Sequence, residues 1–473
     1  MMMGLPGENG KGADEIFGYR RKFAGALESN KAVVTMVAGG HHAGRSTGRW
    51  WMDSAERAAR VIRTAVEELK PGFAVRLWNG ERIGPADGPV LVINDSGIVG
   101  RALRRPVFTT LVELWISKAI DVENGTLFDI VERQPQGKLK ARLRQLPKLQ
   151  LLRDLPMLFF STGRMSSVDG LAGRNPYVGG SNKEAITHHY DISNDFYRLF
   201  LDERMVYSCG YFKDFANGID QAQFDKLDHI CRKLRLKPGE TLLDIGCGWG
   251  AMLIHAVKNY GVTAHGVSLS EAQTEVARER IRAEGLEDRI TIEIKPYTEL
   301  TGKFDKISSI GMFEHIGLAN HETYFRAIKR LLKPGGIYLH HAITRRMKHS
   351  ARAFRRKGPG YKAMVKYIFP GGELDHIGLT ADHLEARGFE VHDIENLREH
   401  YACTCRLWAE RLYSRFDEAI AEVGEAKARL WLLYLTGCSL AFDGASLMIY
   451  QTVATRRKKG ASGLPPTRAD LYR

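Results

Sequence analysis

The chain has 473 residues with 44% hydrophobic and 26% charged side chains, the composition of an ordinary globular protein with room for two or three domains. Its N-terminal residues are polar and rich in glycine, which predicts no secretory signal, and its longest nearly apolar stretch, 430–442, is shorter than the roughly 20 residues of a membrane span. The formal net charge of +14 indicates a polyanionic partner, and the six scattered cysteines predict reduced thiols rather than a metal site.

The N-terminal part of the chain predicts a small α+β domain. An amphipathic helix begins near Met52, and two short strands meet at Asn79-Gly80, which is a strong signal for a β-hairpin. A further strand is predicted over 89–95 and a helix over 108–120. Composition divides the whole chain into an irregular arm over 1–50, this small domain over 51–160, a linker rich in glycine, serine and asparagine over 161–185, and a second domain over 186–473.

Strands and helices alternate in the second domain. Alternation of this kind predicts an α/β fold with a doubly wound, mostly parallel, Rossmann-like sheet. The predicted strands cover 241–246, 262–269, 290–294, 304–313 and 337–343. Ligands of such sheets bind outside the carboxyl ends of the strands. Polar residues stand at four of these ends, namely Asp244 to Gly250, Ser268 to Gln273, Glu314 and His341.

The turn after the first of these strands is rich in glycine. Gly246, Gly248 and Gly250 would let the backbone approach a nucleotide closely, but this pattern alone suits NAD, FAD or S-adenosylmethionine. A dinucleotide site wants an acidic residue at the tip of the next strand, and the sequence there, GVSLSEAQ, has none at that tip. The missing acid, with Asp244 directly before the turn, favours a methyltransferase over a dehydrogenase.

Some polar residues near the strand ends have a structural explanation. Ser270 and Gln273 have the spacing of a capping box, which is compatible with a cofactor contact because both depend on the same helix N-terminus. The adjacent histidines at 188–189 and 340–341 do not suggest metal ligands, because neighbouring side chains in an extended segment point apart. We therefore expect no metal site.

The segment MFEHIG places Glu314 at the end of a run that predicts a buried strand. Burying a carboxylate costs several kcal/mol unless a partner compensates for it, so Glu314 should hold something. Its neighbour His315 would face the opposite side of such a strand, and we interpret it as structural.

Taken together, these motifs resemble those of a known family, the cyclopropane-fatty-acyl-phospholipid synthases and the related mycolic acid cyclopropane synthases. The likeness covers about residues 185–455, and the fixed order of the motifs makes it specific. The motifs are HYDISNDFY at 189–197, MVYSCGYFKD at 205–214, LLDIGCGWG at 242–250, GVSLSEAQ at 266–273, GMFEHIG at 311–317, LKPGGIYLHHAI at 332–343 and KYIFPGG at 366–372.

The resemblance implies a fold, a reaction and a set of site residues. It implies a class I methyltransferase that transfers a methylene from S-adenosylmethionine to a cis double bond in a phospholipid acyl chain, forming a cyclopropane ring. A bicarbonate ion is implied as the base, held by the side chains of Glu314, His341 and Tyr401 and the backbone of Cys209 and Ile343. The implied cofactor contacts are His189, Tyr207, Ser208, Asp244, Gly246, Gly248, Ser268, Leu269, Gln273 and Tyr297.

One position departs from the family pattern. Many members have an acidic residue just before an aromatic one at the third strand end, where this chain has Pro296 before Tyr297. Either Glu299 takes over the role of that acid, or backbone and Tyr297 alone hold the adenine.

The basic charge is concentrated in three runs, at 138–153, 345–367 and 455–459. The first is interleaved with leucines at near-helical spacing, which favours a lipid surface over nucleic acid. We therefore expect a cytoplasmic protein on the inner face of the membrane, bound peripherally to anionic phospholipid, with the small domain over 51–160 associated with the lipid substrate. The resemblance also implies a homodimer, which the residues themselves do not indicate.

Three alternatives stay open at this point. The same alkene could yield a methyl- or methylene-branched chain, because only the site of proton loss differs. A nucleic-acid methyltransferase would suit the charge, but the Asn/Asp-Pro-Pro-aromatic motif expected after the fourth strand is replaced by MFEHIG. A lipid-binding protein without catalysis is disfavoured because every implied anion-site position is filled.

Overall fold

The computed structural model describes residues 47–134, 146–159, 192–370 and 372–472. The chain divides into two compact units, one of residues 1–167 with 358–360 and one of the remaining residues. The predicted arm up to residue 46 and the predicted linker lie outside the described residues, as does the first half of the first basic run, 138–145.

Both units contain helices and strands. The helices are α1 (Thr47–Leu69), α2 (Ile98–Arg104), α3 (Phe108–Ile116), α4 (Leu127–Glu132), α5 (Lys148–Phe159), α6 (Asn194–Arg198), α7 (Ile219–Leu234), α8 (Ala251–Tyr260), α9 (Glu271–Ala283), α10 (His321–Leu331), α11 (Ala351–Arg355), α12 (Pro359–Tyr367), α13 (Ile377–Ala386), α14 (Arg398–Ser414), α15 (Phe416–Val423) and α16 (Glu425–Asp443). The strands are β1 (Ala74–Arg76), β2 (Arg82–Ile83), β3 (Val90–Ile93), β4 (Ile120–Glu123), β5 (Thr241–Ile245), β6 (Thr263–Ser268), β7 (Ile290–Ile294), β8 (Phe304–Ile310), β9 (Leu332–Arg345), β10 (Phe389–Asn396) and β11 (Leu447–Arg456).

The first unit contains a four-stranded sheet in the order β2-β1-β3-β4. The predicted hairpin is confirmed: β1 and β2 pair antiparallel around a turn in which Gly80 has φ +84°, a conformation that suits glycine. The helix predicted over 108–120 is too long. It ends at Ile116, Lys118 follows with φ +57°, and Ile120 begins β4, which pairs antiparallel with β3.

The second unit contains a seven-stranded mixed sheet in the order β10-β11-β9-β8-β5-β6-β7. Strands β5 to β9 are parallel, as predicted, and their order reverses beside β5, which is the usual position of a ligand crevice. The antiparallel strands β10 and β11 were not predicted. Three helices, α11 to α13, precede β10, and three more, α14 to α16, precede β11, so the alternation that indicated the other strands breaks off before each of them.

Helix α8 packs closely on the sheet. Leu253, Ala256 and Val257 are fully buried on one face of the helix, as their spacing predicts. Strand β6 passes directly beneath this helix at Gly266, where an added Cβ would lie 2.5 Å from Leu253 Cδ1 and 2.9 Å from Cys247 Sγ. Glycine is therefore required for this close approach, which fixes the glycine-rich turn against β6.

The apolar stretch 430–442 lies in helix α16, which packs beside α14. Within the described residues, no helix combines the length and the apolar composition that crossing a membrane requires. The same part of the chain contains no group of three or more His, Cys, Asp or Glu residues arranged to hold a metal ion.

Candidate active site

A cavity of about 400 Å³ opens at the carboxyl ends of β5, β6 and β8. Nine of the ten sequence-predicted cofactor residues line it, and the tenth, His189, lies outside the described residues. The nine are Tyr207, Ser208, Asp244, Gly246, Gly248, Ser268, Leu269, Gln273 and Tyr297. The carboxyl ends of the parallel strands thus bring together residues that are up to ninety positions apart in the chain.

The glycine-rich turn forms one side of the cavity. Its three glycines, at 246, 248 and 250, have φ values of +85°, +53° and +79°, a region that other residues adopt only with strain. The backbone N–H groups of Gly246 and Cys247 both donate to the carbonyl of Val267, at 2.9 and 3.1 Å. A Cβ at Gly246 would lie 3.1 Å from the side chain of Met312, which also lines the cavity.

Asp244 lies buried beneath this turn. The Ser308 hydroxyl donates to Asp244 Oδ1 at 2.7 Å, and burial raises the pKa of Asp244 to about 6 despite that bond. The side chain is therefore held in one orientation by the neighbouring strand β8, where it contributes an acceptor to the cavity wall.

The start of helix α9 forms the next part of the wall. The Ser270 hydroxyl accepts from the backbone N–H of Gln273 at 3.3 Å, which confirms the serine half of the predicted capping box but not the return contact from the Gln273 side chain. The backbone N–H of Ser270 in turn donates to Ser268 Oγ at 3.1 Å. Gln273 is nevertheless part of the cavity lining, which leaves capping and a cofactor contact compatible.

The residues that follow β7 bear on which groups would contact the adenine, Glu299 or Tyr297 with the backbone. Pro296, Tyr297 and Thr298 line the cavity, with Tyr297 in a short 3₁₀ helix and its ring 5.2 Å from that of Tyr324. Glu299 is exposed and does not line the cavity. This geometry favours contacts from Tyr297 and backbone over a contact from Glu299.

Two residues of helix α7 that support the cavity were not predicted from the sequence. Gln223 Nε2 donates to the carbonyl of Ser208 at 2.8 Å, and Lys226 Nζ donates to the Ser208 hydroxyl at 2.9 Å. Both side chains are almost fully buried, and Lys226 lines the cavity. A glutamine and a lysine one turn apart on the buried face of an amphipathic helix are the signal that could have indicated them.

The segment MFEHIG does not have the strand conformation that the sequence predicts. Glu314 and His315 lie in a 3₁₀ turn after β8, not on the strand itself, so the rule that neighbours face opposite sides of a sheet does not apply. His315 does not face the opposite side of a strand, as expected, but is among the residues that line the cavity, and its interpretation as structural stays a prediction. Burial lowers the pKa of His315 to about 4, so it is neutral near pH 7.

Glu314 points away from the cofactor cavity, towards β9. Its Oε1 accepts from the backbone N–H of Ile343 at 2.6 Å, which joins two of the five residues implied for the anion site. Its Oε2 is buried and has no hydrogen-bond partner among the described residues. Burial raises the pKa of Glu314 to about 7.

Of the remaining implied anion ligands, His341 and Cys209 are buried and Tyr401 is half-buried. His341 Nδ1 lies 3.3 Å from Gln451 Nε2 on β11, while His341 Nε2 has no partner in the described part of the chain. Tyr401, on α14, packs its ring 4.6 Å from that of Phe442. Burial raises the pKa of the Cys209 thiol well above its usual range, which does not suit a nucleophile.

A second carboxylate near Glu314 predicts a pH dependence. Burial and the charge of Glu314 raise the pKa of Asp375 to about 7, although Thr380 donates to it at 2.6 Å. The folded protein therefore holds this proton more tightly than the unfolded chain, so the free energy of unfolding should fall as pH rises from about 4 to about 7. Asp375→Asn should remove roughly 1.4 kcal/mol of this fall per pH unit, measured by urea unfolding at several pH values.

The control for this prediction is Asp382→Asn, because Asp382 is an exposed acid on the neighbouring helix α13. It should leave the pH dependence as it is in the unmodified protein. Equal slopes for the unmodified protein and Asp375→Asn would contradict the assigned environment of Asp375.

The fold and the cavity together define a class of protein. A Rossmann-like sheet with a glycine-rich turn after its first strand, and no acid at the tip of the second, is that of a class I S-adenosylmethionine-dependent methyltransferase. Residues 180–452 match the family model described as mycolic acid cyclopropane synthetase. The chain belongs to this family.

Individual relatives agree with this assignment. The chain is 35% identical over 416 residues to a "Probable fatty acid methyltransferase" of Pseudomonas putida, which covers 86% of this chain and 98% of that protein. It is 39% identical over 268 residues to the "Cyclopropane-fatty-acyl-phospholipid synthase" of Escherichia coli K12, covering 57% of this chain and 66% of that protein.

A solved structure gives the same result. The crystal structure of mycolic acid cyclopropane synthase CmaA1 complexed with SAH and CTAB has 34% identity and a TM-score of 0.55, and the match covers 58% of this chain and 98% of that one. The comparisons confirm the predicted fold, the predicted family and the predicted S-adenosylmethionine-dependent methyltransferase class.

Proposed function

We propose that the protein transfers a methylene from S-adenosylmethionine to the cis double bond of an unsaturated acyl chain in a membrane phospholipid, forming a cyclopropane ring. The observation that carries this proposal concerns two buried polar atoms without hydrogen-bond partners among the described residues, Glu314 Oε2 and His341 Nε2. Glu314 follows the carboxyl end of β8, and His341 lies in the last third of β9, next to β8 in the sheet. An acceptor and an imidazole nitrogen of this kind fit a small anion such as bicarbonate. The name of the E. coli relative supports the choice of substrate.

The cavity residues would hold the cofactor and align it. When bound, S-adenosylmethionine supplies the methyl group, and the glycine-rich turn with the start of α9 would fix its position. An alkene is a poor nucleophile, so the reaction depends on alignment and on the exclusion of water more than on activation of a side chain. The buried environment of Asp244 and Gln273 is consistent with that requirement.

Bicarbonate, when bound, supplies a base that accepts the proton lost before ring closure. Glu314, His341 and Tyr401 would orient this anion, with the backbone of Cys209 and Ile343 as further contacts. Burial lowers the pKa of His341 well below its usual range and raises that of Tyr401, so both are neutral hydrogen-bonding groups near pH 7. These neutral groups would fix the anion without taking the proton themselves.

An aromatic cluster beside the cavity suits the acyl chain. Tyr207 lines the cavity, and its ring lies 5.4 Å from Tyr197, 5.2 Å from Trp408 and 6.2 Å from Trp431. Trp249, also in the cavity wall, lies 5.1 Å from Tyr197. Tyr197 on α6, Trp408 on α14 and Trp431 on α16 would thus adjoin the position where an alkene meets the cofactor.

Methyl transfer to defined vesicles tests the proposed function. Purified protein with S-adenosylmethionine labelled in its methyl group should label vesicles that contain oleoyl phospholipid. Vesicles of the same headgroups with saturated chains are the matched control and should take up no label. Label in both kinds of vesicle, or in neither, would contradict transfer to an acyl double bond.

The exposed basic surface of α11 and α12 would bind the membrane. It follows directly after β9, the strand that contains His341 and Ile343. Of the seven exposed cations on, between and just before these helices, Lys357 pairs with Glu373 at 3.3 Å. The other six form no ion pair with a described acidic residue, and these are Arg346, Lys348, Arg352, Arg355, Arg356 and Lys362. Each Lys or Arg near an anionic surface contributes about 1 kcal/mol to binding. The inner membrane face and a homodimer stay predictions.

Charge reversal on this surface should weaken binding to anionic vesicles. Arg352→Glu with Arg355→Glu should lower the partition coefficient by more than about tenfold at low salt, because two attractive charges become repulsive. Sedimentation with vesicles of phosphatidylglycerol measures this effect. Lys237→Glu with Arg282→Glu changes the net charge equally at exposed positions elsewhere and should have a much smaller effect. Equal losses for the two pairs would contradict a local docking surface.

A further inference from the structure

The side chain of Lys226 is an unusual cation. It lies on α7, lines the cofactor cavity and is 1% exposed. An ammonium group has three donors, and the structure gives Lys226 Nζ one hydrogen bond, to Ser208 Oγ at 2.9 Å. The other donors have no partner from the described protein, which is a costly arrangement for a buried charge unless an anion completes it.

Other buried lysines in the described part of the chain have carboxylate partners. Lys233 Nζ lies 2.5 Å from Glu395, and Lys306 Nζ lies 3.6 Å from Glu240. Lys226 has no carboxylate within 4.0 Å in the same described residues. Its charge is therefore the one among these three that the protein does not neutralise by contact.

The two carboxylates whose charges act on Lys226, Asp202 and Asp244, already accept hydrogen bonds from other groups. Asp202 accepts from the backbone N–H groups of Val206 and Arg204, at 2.8 and 3.1 Å, and Asp244 accepts from Ser308. Their charges act on Lys226, but neither forms an ion pair with it. Lys226 is thus placed to interact with a charge that the protein itself does not supply.

The candidate anion site lacks a positive charge among its own implied ligands. Glu314 is an acid, and His341 and Tyr401 are neutral near pH 7, so the side chains implied as ligands provide no positive charge. The charge of Lys226 nevertheless acts on this site: it opposes the rise that burial causes in the pKa of the Cys209 thiol, and it adds to the fall that burial causes in the pKa of His341. Lys233 also acts on His341, but Glu395 largely neutralises it.

We propose that Lys226 is a positioning residue that supplies the positive charge by which the site holds a carbonate-type anion. It would act through Ser208, whose hydroxyl it binds and whose neighbour Cys209 offers its backbone to the anion. Gln223 holds the carbonyl of the same Ser208 at 2.8 Å, which keeps the segment in place. This inference rests on the proposed function, because the anion is the base assigned there.

Direct binding of bicarbonate tests the inference. The line width of [13C]bicarbonate in NMR titrations should report binding to the SAH-loaded protein, and Lys226→Met should weaken that binding by about tenfold or more. The affinity for SAH, measured by calorimetry, should change by less than about threefold, since the cofactor keeps its other contacts. Unchanged bicarbonate binding, or a loss confined to SAH binding, would overturn the inference.

Further variants separate charge from structure. Lys226→Arg keeps the charge and should retain bicarbonate affinity within about threefold, whereas Lys226→Gln, the second variant if methionine impairs folding, should behave as Lys226→Met does. Lys306→Met removes a buried lysine away from the cavity and should leave bicarbonate affinity unchanged. An arginine variant as weak as the methionine variant would refute a role for the charge. Absence of bicarbonate binding by the unmodified protein would instead refute the proposed base.

Discussion

Glu314→Gln should lower the rate of methyl transfer by more than about 100-fold while the affinity for S-adenosylmethionine changes by less than about threefold. The amide cannot accept hydrogen bonds at both former carboxylate oxygens, so a bound base would be displaced or misoriented. Glu314 is not part of the cofactor cavity lining, and its side chain accepts a hydrogen bond from the backbone N–H of Ile343. Steady-state kinetics and calorimetry with SAH measure the two effects separately.

Glu299→Gln is the matched control for this substitution. Glu299 is exposed, lies just outside the cofactor cavity and was one of the two candidates for the adenine contact. Its variant should keep both the rate and the cofactor affinity of the unmodified protein. Normal turnover by Glu314→Gln would show that the anion-site assignment is wrong, and a large loss of SAH affinity would place Glu314 in cofactor binding instead.

Gly246→Ala should lower the affinity for S-adenosylmethionine by more than about tenfold, which corresponds to roughly 1.4 kcal/mol. The new methyl group would lie 3.1 Å from Met312, so Met312 would have to move, and it lines the cavity. The backbone at this position has φ +85°, which costs an alanine about 1–2 kcal/mol in addition. Calorimetric titration with SAH measures the change in affinity.

Gly285→Ala separates the cost of backbone strain from the loss of space in the cofactor cavity. Gly285 has φ +65° after helix α9, and an added Cβ would meet no atom within 4 Å. Its variant should lose stability from the same backbone strain but retain cofactor affinity. If Gly246→Ala and Gly285→Ala weakened SAH binding equally, the glycine-rich turn would have no specific role in the cofactor site.

The central part of the fold could be predicted because each strand has a simple local signal. Strands β5 to β9 are apolar runs that alternate with helices, and these features depend on residues close together in the chain. Strands β10 and β11 pair with the sheet only after a long helical insertion, so their placement depends on distant contacts. Strand β4 was missed because it is four residues long and its sequence, IDVE, includes two acids and so gives no apolar run.

The candidate site was predictable where it depends on motifs. The residues of the glycine-rich turn and of the start of α9 were indicated by spacing, and the structure places them in one cavity. The orientation of His315 was not predictable, because it depends on a 3₁₀ turn that the apolar run before it conceals. Lys226 was missed for a different reason: a lysine in an amphipathic helix is usually exposed, and only tertiary packing buries this one.

The most direct test of the proposed function is the mass spectrum of phospholipid from cells that express the protein, compared with cells expressing Glu314→Gln. Unsaturated acyl chains should gain the mass of one CH2 group, and the product should resist mild hydrogenation, as a ring does. The variant should give no such product. A product of the same mass gain that takes up hydrogen would be a branched alkene, and unchanged acyl chains in both cultures would contradict acyl methyl transfer altogether.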